Sequence, residues 1–179
     1  VQYMGWREAL FIVLVFSGIN GLFSFVIAGG LLPIFEKLFN ITTPHRLLEL
    51  SNPEEPLLKQ LLIQAPGTYH HSILVGTLGE AAAESISCNS LLVRVGAYYH
   101  DTGKISKPEY FTENQQNPKE SKHSQLLPTM SSLIIINHVK EGVENARKKH
   151  LPKQVVDLIQ QHHGTSIVSF FFHQELKRA

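Results

Sequence analysis

The apolar positions of the chain form one long uninterrupted run, followed by shorter segments in which apolar and polar residues mix. Between Ala9 and Phe35 the sequence contains no charged residue. Because about 20 apolar residues in a helix are enough to cross a bilayer, this run is predicted to be a membrane-spanning helix. Trp6 and Arg7 precede it and Glu36 follows it, as is usual for residues at a membrane surface. A buried core helix and a signal peptide are the alternatives.

The charges on either side of the apolar run predict its orientation. Arg7 lies on the N-terminal side, whereas Lys37, Arg46 and Lys59 lie on the C-terminal side. Since basic residues favour the cytoplasmic side of a membrane helix, the C-terminal part of the chain is expected in the cytoplasm. The sequence opens with Val1, and we expect a fragment that begins just before the last membrane helix of a longer protein.

After the apolar run, the apolar residues recur with helical spacing. Residues 40–66 hold several prolines and two short amphipathic pieces, which predicts a linker with short helical turns. Five helices are predicted beyond it, over about residues 69–87, 91–100, 129–149, 152–163 and 166–177. Residues 106–128 are polar and contain prolines, so they are predicted to be a loop.

No stretch of the chain alternates with a period of two, so the predicted fold is all-α. It is a helical bundle preceded by one transmembrane helix. The predicted division assigns residues 1–39 to the last transmembrane helix and its flanks, 40–66 to the linker and 67–179 to the helical domain. Thr68 is the predicted cap of the first helix of that domain, and Gly103 is predicted to end the second.

Composition adds one signal, which is histidine. The 179 residues carry 16 Lys and Arg against 15 Asp and Glu, so there is no basic field that would indicate nucleic-acid binding. The single cysteine, Cys88, excludes an internal disulfide and fits a reducing compartment. Ten histidines are many for this length, and several fall on the predicted helices.

Two adjacent pairs of candidate ligands fall at predicted helix ends. Neighbouring side chains diverge by about 100° within a helix, but both members of a pair can face one cavity where the helix stops. Imidazoles with a carboxylate suit first-row transition metals, and two ions about 3.5–4 Å apart can clamp a phosphate. For each histidine alone, a surface or hydrogen-bonded core position is the alternative. The candidate metal ligands are His71, His100, Asp101, His138, His162 and His163.

The blocks "PGTYHHS", "GAYYHDTGK", "INHVKEGVE" and "QHHGTS", in this order, resemble the HD-domain metal-dependent phosphohydrolases. With "NITTPHRLLEL" at residues 40–50, they resemble more narrowly the membrane-anchored HD phosphodiesterases that hydrolyse cyclic di-AMP. These are seven-transmembrane receptors with an intracellular HD hydrolase domain. The resemblance covers nearly the whole chain from the last membrane helix onward.

The resemblance implies a site with two divalent metal ions, iron or manganese. Asp101 would bridge the two ions. His71 and His100 would serve one ion, and the remaining three histidines, His138, His162 and His163, would serve the other. His70, next to the first ligand, matches no ligand position and is expected to be structural or to support a ligand.

The implied reaction opens cyclic di-AMP to linear pApA, with metal-bound hydroxide attacking phosphorus. Asp101 and Lys104 are the expected catalytic residues, and Lys104 would stabilise the charge that develops on the phosphate. A solvated lysine after a glycine turn is the alternative for Lys104. The implied partners are cyclic di-AMP and the membrane, with no nucleic-acid polymer, and the implied location is the membrane, with the HD domain in the cytoplasm.

Two features depart from the family pattern. The family has a further Asp ligand in a helix well beyond the His-His pair. This sequence ends at Ala179 and shows no such Asp. We therefore expect one ion to lack a ligand and hydrolysis by this chain to be impaired. The loop at 117–132 also differs from the family's loop, whose histidine is here displaced or replaced by His123. The alternative function is a non-catalytic or truncated cyclic-nucleotide-binding signalling domain. The cyclic di-GMP and mononucleotide HD hydrolases are rivals in chemistry.

Overall fold

The computed structural model describes residues 5–115 and 121–178, without the side chain of Lys37. The chain divides into two compact units, Val1–Ile41 and Thr42–Ala179. Every regular element in the described ranges is helical, which confirms the predicted all-α fold.

The first unit contains one long helix. Helix α1 runs Trp6–Phe39 and includes Pro33. Its stretch Trp6–Glu36 has a mean hydropathy of 2.4, and none of that apolar stretch is buried. By length and composition, α1 is therefore a candidate membrane span. Asn40 ends the helix in the left-handed region, with φ of 53°.

The second unit is a bundle of α-helices connected by shorter turns. Its α-helices are α2 (Pro44–Leu50), α3 (Pro56–Gln64), α4 (Pro66–Ser85), α5 (Ser90–Tyr99), α6 (Pro128–Lys148), α7 (Lys153–Gln161) and α8 (Ser169–Leu176). Short 3₁₀ helices lie between α5 and α6, at Thr102–Ser106, Pro108–Tyr110, Thr112–Asn114 and Lys122–Gln125. The predicted loop 106–128 corresponds to most of this region, although its residues 116–120 lie outside the described ranges.

The segment that was predicted to be a linker packs into the core of the second unit. Leu47 and Leu50 of α2, like Leu58 and Leu61 of α3, are at most 2% exposed. The hydroxyl of Tyr99, at the end of α5, donates a buried hydrogen bond to the carbonyl oxygen of Leu50 at 2.9 Å. The domain boundaries stay a prediction, but α2 and α3 share the hydrophobic core with the helices that follow them.

Two local predictions for this unit are wrong. Thr68 does not cap α4, because Pro66 takes the first helical position and Thr68 lies inside the first turn. Gly103 does not end α5, which stops at Tyr99. It is instead a point of close contact with α6, since a Cβ atom at Gly103 would lie 1.8 Å from the backbone oxygen of His138. The turn after α5 can therefore approach α6 closely.

Candidate metal centre

The structure brings all six sequence-predicted ligands into one region of the second unit. They fall into two groups of three, and within each group the candidate ligand atoms lie within 4.8 Å of one another. The histidines divide as the family resemblance implies, whereas Asp101, which the resemblance implies to be shared, falls in the first group, and the ligand roles themselves stay a prediction. The first group is His71, His100 and Asp101, and the second is His138, His162 and His163.

Asp101 joins the two groups. Its side chain is 3% exposed, and its Oδ2 atom lies 3.1 Å from Nε2 of His100. Its Oδ1 atom lies 3.3 Å from Nε2 of His138 and 3.7 Å from Nε2 of His162. One buried carboxylate thus faces imidazoles that come from the ends of α5 and α7 and from the middle of α6.

The helix backbone fixes the orientation of these three imidazoles. In each ring, Nδ1 contacts the carbonyl oxygen of the residue three positions earlier, at 2.7 Å for His100 and His162, and His138 makes the same contact. A carbonyl oxygen can only accept, so Nδ1 carries the proton and donates. In the neutral ring, Nε2 then keeps its lone pair, and that lone pair faces Asp101.

This arrangement of lone pairs fits a bound cation. The Nε2 atoms of His138 and His162 face each other at 3.2 Å, and the carboxylate of Asp101 is next to both. With both rings neutral and Nδ1 protonated, none of these atoms has a proton to donate. A divalent metal ion would satisfy all of them, and imidazole with carboxylate is a ligand set that first-row transition metals accept.

The charges of the centre favour forms that bind metal. Burial raises the pKa of Asp101, but the hydrogen bond from His100 and the positive charge of Lys104 outweigh burial, so that the pKa lies below its usual value. Burial, with the charges of His163 and His100, lowers the pKa of His162 to about 4. Asp101 is therefore ionised and His162 neutral at pH 7.

His100 behaves differently in the metal-free protein. Burial lowers its pKa, but the hydrogen bond and the charge of Asp101 outweigh burial and raise it above the usual value. The metal-free centre therefore favours a proton on His100, placed between its Nε2 atom and the carboxylate. A metal ion that takes this nitrogen must displace that proton, as is general for histidine ligands.

Lys104 lies beside the same carboxylate. Its ammonium nitrogen is 2.8 Å from Oδ2 of Asp101 and 2.7 Å from Oε1 of Glu113, and the side chain is 13% exposed. Burial lowers the pKa of Lys104, but Asp101 and then Glu113 raise it more. Lys104 is thus a charged, mostly buried residue of the centre, and the alternative of a solvated surface lysine is wrong.

Several other histidines lie apart from the two groups. His70 is exposed, and its ring is 6.2 Å from that of Tyr69. His45 lies 3.3 Å from Glu49 on the surface of α2. The predicted supporting role of His70 stays a prediction.

A cavity of about 770 Å³ opens beside the centre. Its lining includes Lys104, His138 and His163 of the centre, and also the aromatic rings of Tyr110, His123 and Phe171. The ring centroid of His123 is 5.4 Å from that of Tyr110 and 5.1 Å from that of Phe171.

Sequence reasoning missed this aromatic wall and also Glu113. Both depend on residues 106–128, which are polar and lack any helical period. "EYF" at residues 109–111 was the available signal, because two neighbouring aromatic residues in an otherwise polar segment indicate a buried contact.

The second unit is a helical bundle in which imidazoles surround a pair of adjacent residues, His100 and the buried Asp101. These features are those of a class of helical metal-binding domains. The chain belongs to the HD domain family, which matches residues 68–178. Membership implies that the domain binds a divalent metal, which agrees with the lone-pair arrangement around Asp101.

Two relatives are cyclic-di-AMP phosphodiesterases named PgpH. The one from Bacillus subtilis is 49% identical over 156 residues, which are 87% of this chain and 22% of that protein. The one from Listeria monocytogenes is 46% identical over 160 residues, 88% of this chain and 22% of that protein. The chain therefore spans about a fifth of the length of these relatives.

A solved structure is similar as well. The crystal structure of the HD domain of Listeria monocytogenes PgpH in complex with cyclic-di-AMP matches with a TM-score of 0.68 and 46% identity. The match covers 72% of this chain and 59% of that one.

Proposed function

We propose that this chain carries a metal-dependent phosphodiesterase domain that hydrolyses cyclic di-AMP to linear pApA. The observation that carries the proposal is the set of imidazole lone pairs that face Asp101 beside a cavity of about 770 Å³. The relatives named as cyclic-di-AMP phosphodiesterases support the choice of substrate, since they share nearly half of their aligned residues with this chain.

The proposed ligands are those of the two groups. His71 and His100 would hold one ion, the histidines of the second group would hold the other, and Asp101 would be shared. Iron or manganese fits this mixture of imidazole and carboxylate. When bound, two such ions would polarise the phosphodiester and make water a strong nucleophile at neutral pH.

The residues of the chain contribute orientation and charge. Backbone carbonyls accept from Nδ1 of His100, His138 and His162, so that Nε2 of each of these three rings faces Asp101. Lys104 lines the cavity, where its positive charge would stabilise negative charge on the phosphate. The rings of Tyr110, His123 and Phe171 give the cavity an aromatic wall, against which a purine base can pack.

The location proposed for the domain is the cytoplasmic face of a membrane. Helix α1 is long and apolar enough to span a bilayer. The basic residues Lys37, Arg46 and Lys59 follow it, and this excess favours a cytoplasmic C-terminal side.

The test uses the whole chain in detergent, loaded with Fe(II) or Mn(II) without oxygen and given cyclic di-AMP or cyclic di-GMP. We expect conversion of cyclic di-AMP to pApA, detected by chromatography and slow in keeping with the impairment expected from the family pattern, and little conversion of cyclic di-GMP. Asp101→Asn should abolish conversion, whereas the matched surface variant His45→Ala should retain it. Tight binding of cyclic di-AMP by the metal-loaded chain without any conversion would contradict the proposal and support the non-catalytic binding domain.

A further inference from the structure

Glu113 shares the ammonium group of Lys104 with Asp101. Its Oε1 atom lies 2.7 Å from the lysine nitrogen, while Oδ2 of Asp101 lies 2.8 Å from the same nitrogen. Burial raises the pKa of Glu113, but Lys104 outweighs burial and keeps the pKa below its usual value. Lys104 is thus held between two carboxylates, of which one belongs to the proposed metal centre and the other does not.

A second set of hydrogen bonds holds Glu113 itself. The hydroxyl of Thr68, a fully buried residue of α4, donates to Oε1 of Glu113 at 3.0 Å. The side chain of Asn114 accepts from the backbone N–H of Thr68 at 3.1 Å and donates to its hydroxyl at 2.8 Å. These hydrogen bonds therefore hold the turn Thr112–Asn114 against the first turn of α4. The same helix carries His71 one turn further on.

The backbone contact between these segments is very close. A Cβ atom at Gly67 would lie 1.8 Å from the backbone oxygen of Glu113, so only glycine allows this approach. Three hydrogen bonds and a close backbone contact are more than a surface turn needs to stay folded. They fix the position of one carboxylate, and Lys104 is the cation that this carboxylate contacts.

We propose that Glu113 is a positioning residue that keeps the ammonium of Lys104 at the edge of the metal centre, on the wall of the cavity. Asp101 is the carboxylate that bound metal ions would draw away from the lysine. Glu113 is the other carboxylate in contact with Lys104 among the described residues, so it is the one that retains the lysine. The consequence for hydrolysis rests on the proposed function, whereas the position of Lys104 does not.

The first measurement needs neither metal nor substrate. The metal-free whole chain in detergent is treated with a lysine-acylating reagent, and mass spectrometry gives the labelling of Lys104 relative to the exposed Lys153. In Glu113→Gln this ratio should rise several-fold, because an uncharged amide retains the mostly buried ammonium less well. In Glu113→Ala it should rise further. Thr68→Val removes the hydroxyl that donates to Glu113 and accepts from Asn114, but leaves the carboxylate of Glu113 in place, and should give a smaller increase.

The matched control removes a similar ion pair elsewhere. Glu54 and Lys59 also lie 2.7 Å apart, but both side chains are exposed. Glu54→Gln should leave the labelling of Lys104 unchanged. General destabilisation would raise the labelling of many lysines together, so an increase confined to Lys104 identifies a positioning role.

The second measurement is hydrolysis of cyclic di-AMP by the metal-loaded chain. In Glu113→Gln, kcat should fall about tenfold, the lower end of what such supporting partners contribute. KM should not rise, because the change removes a negative charge near an anionic substrate. Glu54→Gln should change neither value.

The outcomes separate the two proposals. Unchanged labelling of Lys104 in both Glu113 variants would overturn the positioning role. Increased labelling with unchanged kcat would overturn its consequence for hydrolysis. If the wild-type chain hydrolyses nothing while the labelling of Lys104 responds as expected, the proposed function fails and the positioning role stands.

Discussion

At the scale of single residues, the carboxylate of Asp101 lies next to histidines of both groups. Its two oxygens face His100 on one side and His138 with His162 on the other, at 3.1–3.7 Å. The carboxylate is 3% exposed and ionised, so without cations around it the charge would be costly to bury. Removal of Asp101 therefore affects both groups of proposed ligands at once.

Asp101→Ala should lose most of the bound metal, whereas His70→Ala should retain most of it. His70 is exposed and belongs to neither group, and a residue that only supports a ligand typically changes metal affinity about 10–100-fold. Elemental analysis of both proteins after anaerobic loading and gel filtration checks this. Equal metal content in the two variants would contradict the assignment of Asp101.

Tyr99→Phe should lower the free energy of unfolding by about 1–3 kcal/mol, because the buried carbonyl of Leu50 would lose its donor. Chemical denaturation of the metal-free chain measures the change. Tyr69→Phe is the matched control, since the Tyr69 hydroxyl makes no hydrogen bond to any residue that the structure describes, and it should unfold close to the wild type. If the two variants unfold alike, the hydrogen bond to Leu50 does not stabilise the protein.

At the scale of elements, close contacts between helices bring the ligands together. Gly103 lets the turn after α5 approach α6, and this approach sets the His100–Asp101 pair beside His138. Glycine also allows a close contact between α4 and α5, where a Cβ atom at Gly76 would lie 2.5 Å from the ring of Tyr98. Glycine at such positions fixes the distance between elements.

Gly103→Ala should destabilise the domain by at least the roughly 1–3 kcal/mol that is typical of overpacking. The obstacle is the backbone oxygen of His138, 1.8 Å from the added carbon, and a backbone atom on a helix cannot move aside alone. Metal affinity should fall as well. Thermal unfolding and metal titration measure both effects. Gly21→Ala in α1, where nothing lies within 4 Å, is the control and should leave both unchanged.

The helices and the clustering of the candidate ligands could be predicted from the sequence because both depend on local spacing, whereas the roles of these residues as metal ligands stay a prediction. Apolar residues with a helical period define α4 to α7, and the adjacent pairs at residues 100–101 and 162–163 stand at helix ends. Glu113 could not be predicted, because its role depends on a contact with Thr68, 45 residues away. The prediction for Thr68 was wrong because α4 begins at Pro66, which places Thr68 inside the first turn, where its hydroxyl donates to Glu113.

At the scale of the whole molecule, the chain has two units of different character. The first is one apolar helix whose large side chains are exposed, and the second is a bundle with its own buried core. Exposed apolar surface of this extent indicates contact with lipid or with other apolar helices. The second unit contains the hydrophobic core and all six candidate ligands. Its folding is therefore expected not to require α1.

A chain that begins at Thr42 should therefore remain soluble without detergent and bind as much metal per chain as the whole protein. The whole protein should float with lipid vesicles in a density gradient, and the shortened chain should not. Flotation assays and elemental analysis measure these outcomes. Aggregation of the shortened chain, or loss of its metal, would mean that α1 contributes to the folding of the second unit.

The backbone anchors of the imidazoles have a consequence for how the centre can change. Each Nδ1 proton of His100, His138 and His162 is held by a main-chain oxygen, which every amino acid provides. No point substitution at the anchoring position can delete that acceptor, as it could delete a supporting carboxylate. Rotation of the rings is also restricted before any ion arrives, so metal binding loses little conformational entropy. The amino acids next to these histidines can therefore change in sequence while the helix backbone keeps the three rings in the same orientation.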